Sequence, residues 1–178
     1  MNIFEASESG NLIRLQEILA TNPDVNVRNE CGETPAHHAC AHGSVECLRA
    51  LIERGADINA QCDVGVTLLM EASIYGNVKC VKELLQRGVD LSIRSNRGWT
   101  PLHCICYWSN DYNGEHLTCV EALLDAGIDP DAKDSQGRTA LIIAHKEACT
   151  EIIDFINNYG PITKPALEYD SLISEVDP

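Results

Sequence analysis

Apolar and polar positions alternate along this chain in blocks whose spacing predicts paired helices. Over Val45–Arg54, Val45, Leu48, Leu51 and Ile52 recur with helical periodicity, so one face of that stretch is apolar and the opposite face polar. A shorter helix is predicted just before it, over Pro35–His42. Thr34 can cap its first turn and Pro35 fits the first helical position. Gly43 then breaks the chain and Gly55 ends the second helix. The runs Asp57–Val66, Asp90–Trp99 and Asp129–Arg138 are polar and contain Gly65, Gly98 and Gly137 as turn residues. A helix over Thr150–Asn157 carries apolar residues that the last elements of the chain leave uncovered.

The pattern repeats. Thr34, Thr67, Thr100 and Thr139 follow one another at spacings of 33, 33 and 39. Ala39, Ala72 and Ala144 hold one register position, Gly43 and Gly76 another, and Cys47, Cys80 and Cys119 a third, the last reached six residues late. The extra residues fall near 110–115. Gly55/Asp57, Gly88/Asp90 and Gly127/Asp129 close successive units, and Gly160 keeps the phase. Counting back one period places Ala6, Gly10 and Asp24 in the same slots, which makes residues 1–33 a degenerate first copy. The expected units are 1–33, 34–66, 67–99, 100–138 and 139–160, followed by a tail over 161–178. A helix pair of this size cannot bury its apolar face alone, whereas stacked pairs can.

Thr34-Pro35-Ala36-His37 and Thr100-Pro101-Leu102-His103, set in a period of 33, resemble the ankyrin-repeat family, and the resemblance covers residues 1 to about 160. Leu68 and Ala140 in place of proline, Met70 and Ile142 in place of histidine, and the insert after Ser109 depart from its pattern. The resemblance implies an all-α solenoid of about five stacked helix-turn-helix units with projecting hairpins. Hairpin tips and first helices then form a concave face that binds a partner protein. It also implies that the residue before each threonine and those seven and eight places after it point into that groove. These are Glu33, Ala41 and His42; Val66, Ile74 and Tyr75; Trp99, Tyr107 and Trp108; Arg138, Lys146 and Glu147. The two middle rows are apolar and aromatic, of the residue types enriched at interface hot spots. Val66, Ile74, Tyr75, Trp99, Tyr107 and Trp108 are therefore expected to form the binding patch, with Arg94, Arg97 and Arg138 at its polar rim and Cys104 exposed beside it.

Composition narrows the chemistry. Formal net charge is −14, which disfavours nucleic acid and anionic membranes as partners, and aromatic residues are only 5% of the chain, so the aromatic patch stands out. No run of 18 apolar residues is present, and Met1–Glu5 shows no secretory signal. Nine cysteines suggest reduced thiols and a cytoplasmic or nuclear setting. Cys40 and Cys106 fall in a small-residue core slot, with Cys31 and Cys62 expected nearer the surface. His37, His38, Cys40 and His42, or His103, Cys104 and Cys106, lack the spacing of a zinc site, and the resemblance assigns His37 and His103 to bonds between hairpins. No metal and no cofactor is expected. Nor does the chain carry a phosphate loop, a His-Glu-x-x-His pair or a nucleophile elbow, so no enzymatic activity is expected.

Two features outside the groove remain. Asn59, with Leu51, Asp57 and Ile58, resembles the pattern modified by the asparaginyl hydroxylase that regulates hypoxia signalling, and Asn26 is a weaker match; the preferred reading is that asparagine is simply the hairpin residue. In the tail, Glu168 to Ile173 resembles tyrosine-based and acidic dileucine sorting signals, while its apolar residues equally suit a cover for the last unit. The leading expectation is a monomeric, non-catalytic interaction scaffold that masks, inhibits or recruits a protein. A two-site adaptor using the tail, or a targeting subunit of an enzyme complex, are the alternatives.

Overall fold

A computed structural model describes residues 1–108 and 114–159. Among them are ten helices: α1 (Ile3–Glu8), α2 (Leu12–Leu19), α3 (Pro35–Ala41), α4 (Val45–Glu53), α5 (Leu68–Ile74), α6 (Val78–Gln86), α7 (Pro101–Trp108), α8 (Gly114–Asp125), α9 (Ala140–Lys146) and α10 (Thr150–Asn158). None is long and apolar enough to cross a membrane. The odd-numbered helices pack side by side in one row and the even-numbered helices in a second, and each pair packs against the next. The result is an all-α solenoid whose core runs continuously between the rows. Leu15, Leu48, Leu51, Leu84, Leu123 and Ile152 enter it from the outer row, and Leu68, Leu69, Leu102 and Ile105 from the inner.

Each inner helix starts for a local reason. Thr67 Oγ1 accepts from the Met70 amide at 3.2 Å, and Thr139 Oγ1 from the Ile142 amide at 3.3 Å. In the other two units histidine completes a reciprocal cap. His37 Nδ1 accepts from the Thr34 amide at 3.1 Å, which leaves Nε2–H to donate to the Val66 carbonyl at 3.2 Å. His103 repeats this with Thr100 at 3.2 Å and the Arg138 carbonyl at 3.0 Å. Both imidazoles serve neutral, and burial lowers the pKa of each. Each histidine thus ties its own cap to the residue preceding the next unit's threonine.

Between the pairs stand four hairpins, closed by amides of Asn29, Cys62, Ser95 and Asp134 donating to the carbonyls of Glu33, Val66, Trp99 and Arg138. Their turns need a positive φ, supplied by Gly32, Gly65, Gly98 and Gly137. Backbone bonds then strap hairpin to hairpin: Asp63 to Cys31, Asn96 to Val64 and Ser135 to Arg97, each within 3.1 Å.

α8 begins at Gly114 and has 12 residues where α4 and α6 have nine, so residues 114 and 115 belong to the helix; 109–113 lie outside the described residues. Register is recovered by His116, whose ring packs under Gly76 and whose Nε2 lies 3.1 Å from the Ile74 carbonyl. Asn77 does the same work one unit earlier, donating to the carbonyls of Cys40 and Ala41 at 2.7 and 2.8 Å.

Candidate protein-binding face

The hairpins and the inner helices meet at an angle, and between the last two hairpins and helices α7 and α9 that angle is a cleft of about 610 Å³. Asn96, Arg97 and Trp99 come from one hairpin, Asp134, Ser135, Gln136 and Arg138 from the next, Tyr107 from α7, and Ile142, Ile143, Lys146 and Glu147 from α9 and its end.

Local chemistry fixes the hairpin side of this cleft. Asp134 Oδ1 accepts from the amides of Gln136 and Arg138, both at 2.9 Å, and closes the turn. Its Oδ2 takes the Arg138 guanidinium at 2.8 Å and the Trp99 indole N–H at 3.1 Å. Burial works against the charged carboxylate, but the Arg138 side chain and the turn amides outweigh it and hold its pKa below the usual range. Trp99 is in turn covered by Tyr107, ring centroids 4.8 Å apart, and by the Arg97 guanidinium at 5.0 Å.

The sequence-derived patch is divided by this geometry. Tyr75, Tyr107 and Trp108 are exposed by 56%, 37% and 53%, and Tyr107 meets Trp108 edge to face at 5.3 Å. Val66 and Ile74 are half-buried. Trp99 is corrected: at 3% exposure its ring is a packed wall between two hairpins rather than an exposed contact. Cys104 is corrected too. It is fully buried, because its short side chain ends within the packing of α7 between α5 and α9. Its thiol is pushed up to about 12 by burial and by Glu71. Arg97 and Arg138 line the cleft, whereas Arg94 is exposed away from it and donates to the Leu91 carbonyl at 3.1 Å.

Sequence reasoning passed over Asp134 and Glu71. Asp134 was legible in principle, since it stands one long period after Ser95, which closes its own hairpin through Oγ. Glu71 sits at the fourth position of α5, where His38 stands in α3. Burial pushes its carboxyl up to about 7, and Glu33 adds to the shift. Glu33 itself faces His38 at 3.3 Å. Tyr75 is raised by burial and by the same two carboxylates.

Asn59 is held at both ends of its residue. Its amide donates to Asp57 Oδ1 at 2.9 Å and its Oδ1 accepts from the Asp90 amide at 2.9 Å, the bond that Asn26 makes to Asp57 one unit earlier. Gly160 and the tail features at 161–178 lie outside the described residues. None of the nine cysteines forms a disulfide, and among the described residues no three His, Cys, Asp or Glu side chains converge as metal ligands.

A family model for ankyrin repeats matches the chain in three copies, over residues 3–95 and 81–164. No individual curated protein matches it. With the paired helices, the histidine caps and the strapped hairpins in the same register, the chain belongs to the ankyrin-repeat family.

Proposed function

We propose that this chain is a non-catalytic interaction module that binds a partner protein on the face formed by its hairpins and inner helices. Ankyrin repeats generally mediate protein–protein interaction. One observation supports the location: Tyr75, Tyr107 and Trp108 are exposed on consecutive inner-row units beside the cleft, in a chain only 5% aromatic. The exposed rings are anchors, and the buried pair Trp99–Asp134 is the rigid wall behind them. Val66 and Ile74 extend the apolar surface toward the second unit, with Arg97 and Arg138 at the rim.

The mechanism is occupancy: the bound partner is masked, inhibited or held for another protein. Reduced thiols fit a cytoplasmic or nuclear setting, and the chain acts as a monomer. Asn59 is retained as a hairpin strap. Affinity purification from cells, with wild type beside a Tyr107→Ala/Trp108→Ala variant, tests the reading. Loss of the bound protein by a variant that keeps its helical circular dichroism supports it; unchanged capture by the variant overturns it.

A further inference from the structure

The charge on this face does not follow the charge of the chain. Formal net charge is −14, yet three cations, Arg97, Arg138 and Lys146, line the cleft between α7 and α9. Of the two carboxylates there, Asp134 is engaged by Arg138 and Trp99, and Glu147 lies exposed at the end of α9. Among the described residues no carboxylate lies within 4.0 Å of Arg97 or Lys146. The Arg97 guanidinium is held over two rings, 5.0 Å from Trp99 and 5.9 Å from Tyr107. Its planar edge remains available for a bidentate carboxylate, the geometry arginine favours.

Two units earlier the sign reverses. Glu33 and Glu71 stand on the same face, and among the described residues the Glu71 carboxylate has no hydrogen-bonding or cationic partner. Because α3, α5, α7 and α9 pack in that order, the face runs from acidic, through Tyr75, Tyr107 and Trp108, to basic.

We propose that the cleft between α7 and α9 receives an acidic segment of the partner protein, with a carboxylate on Arg97 and Lys146 and an apolar side chain of the same segment against Tyr107 and Ile142. The proposal rests on the reading of this face as the binding face and adds the chemistry and direction of what binds. A basic side chain of the segment then lies toward Glu71. Two helix-to-helix steps of about 8–10 Å each separate α5 from α9. An extended segment rises about 3.3 Å per residue, so opposite charges about five to six residues apart match the face. The chain's overall charge repels acidic peptides, so preference for one requires a local cationic site.

The test uses the full-length chain at low salt with two fluorescein-labelled decapeptides, one carrying two leucines among aspartates and the other two leucines among lysines. Wild type is expected to bind the aspartate peptide about tenfold more tightly than the lysine peptide. Arg97→Glu/Lys146→Glu, both exposed positions, is expected to reverse that order in a chain that stays folded, with only the small drop in melting temperature that follows from taking Arg97 off the Trp99 and Tyr107 rings. Equal binding, a lysine preference in wild type, or a variant that keeps the aspartate preference overturns the proposal. If wild type prefers lysine and Tyr107→Ala/Trp108→Ala abolishes binding, the acidic assignment fails while the binding face stands. If both peptides bind that aromatic variant as they bind wild type, the face itself fails. A tenfold gain for the aspartate peptide after neutralising Glu168, Asp170, Glu175 and Asp177 identifies the chain's own tail as occupant and overturns the partner assignment.

Discussion

The Trp99 indole N–H donates to Asp134 Oδ2 across 3.1 Å and joins two successive hairpins behind the cleft. Trp99→Phe removes the bond together with the pyrrole part of the buried ring, and is expected to cost about 2 kcal/mol in denaturant unfolding. Asp134→Ala also strands Arg138, which is only 17% exposed at its side chain, and is expected to cost about 3 kcal/mol. The pair should be non-additive in a double-mutant cycle. Because the folded Asp134 pKa is depressed, its contribution is present above the unfolded value of about 3.9 and lost as pH falls through the lower folded value. Asp134→Asn should remove that acid-side slope; a variant that unfolds in acid as wild type does would rule the linkage out.

Glu71 has the opposite sign. Its folded pKa is raised to about 7 against about 4.3 for an unfolded glutamate. The folded state therefore holds a proton that the unfolded chain releases, and Glu71 destabilises progressively from about pH 4.3 to about pH 7. Glu71→Gln should melt about 3 °C above wild type at pH 8 and close to it at pH 4. The lowered pKa values of His37 and His103 impose a separate loss of stability below about pH 6.5 in both proteins. The difference between the two melting profiles isolates the carboxyl, and a difference that does not grow with pH counts against a buried Glu71.

Gly98 and Gly137 share one backbone conformation, φ +75° and +77°, but not one environment. A methyl group on Gly98 would meet the Ser135 amide nitrogen at 2.8 Å, while nothing lies within 4 Å of the same position on Gly137. Gly137→Ala should cost about 1 kcal/mol, the left-handed conformation alone, and Gly98→Ala about 3 kcal/mol. Equal losses would show that the hairpins move apart freely.

Thiol labelling should separate the cysteines by burial. Cys31 is exposed and Cys62 half-buried, whereas the other seven are buried and Cys104 and Cys119 are pushed up to about 12, mainly by desolvation. Native protein treated with N-ethylmaleimide should gain adducts on Cys31 and then Cys62 by peptide mass spectrometry, with the rest appearing only in denaturant. Rapid native labelling of Cys104 or Cys106 would contradict the packing of α7.

The threonines and turn glycines made the stack legible in sequence because each acts within its own few residues: Thr67 caps Met70, and Gly65 closes a turn beside it. Tyr75, Tyr107 and Trp108 were found through the resemblance to ankyrin repeats, which implies that the positions seven and eight places after each threonine face out. Trp99 was misplaced because the hydrogen bond that holds its ring inward comes from far along the chain, although Arg97 and Tyr107, which cover it, are close in sequence. Its partner Asp134 is 35 residues away, and no pattern local to Trp99 shows that an indole and a carboxylate will meet. Cys104 was misplaced because exposure at the fourth helical position depends on the length of the side chain, as His38 and Glu71 show by remaining partly open in their own units. Glu71 was passed over since a lone glutamate on a helix reads as solvated; only the stack reveals its desolvation.

The straps from Asp63 to Cys31, from Asn96 to Val64 and from Ser135 to Arg97 each reach one unit and stop. Inheritance can therefore act on this protein in sections. Substitutions at Arg97, Tyr107 or Lys146 perturb the units that hold them and their immediate neighbours, so selection can rewrite what the carboxyl-terminal half recognises while the amino-terminal units go on supplying the stability of the array.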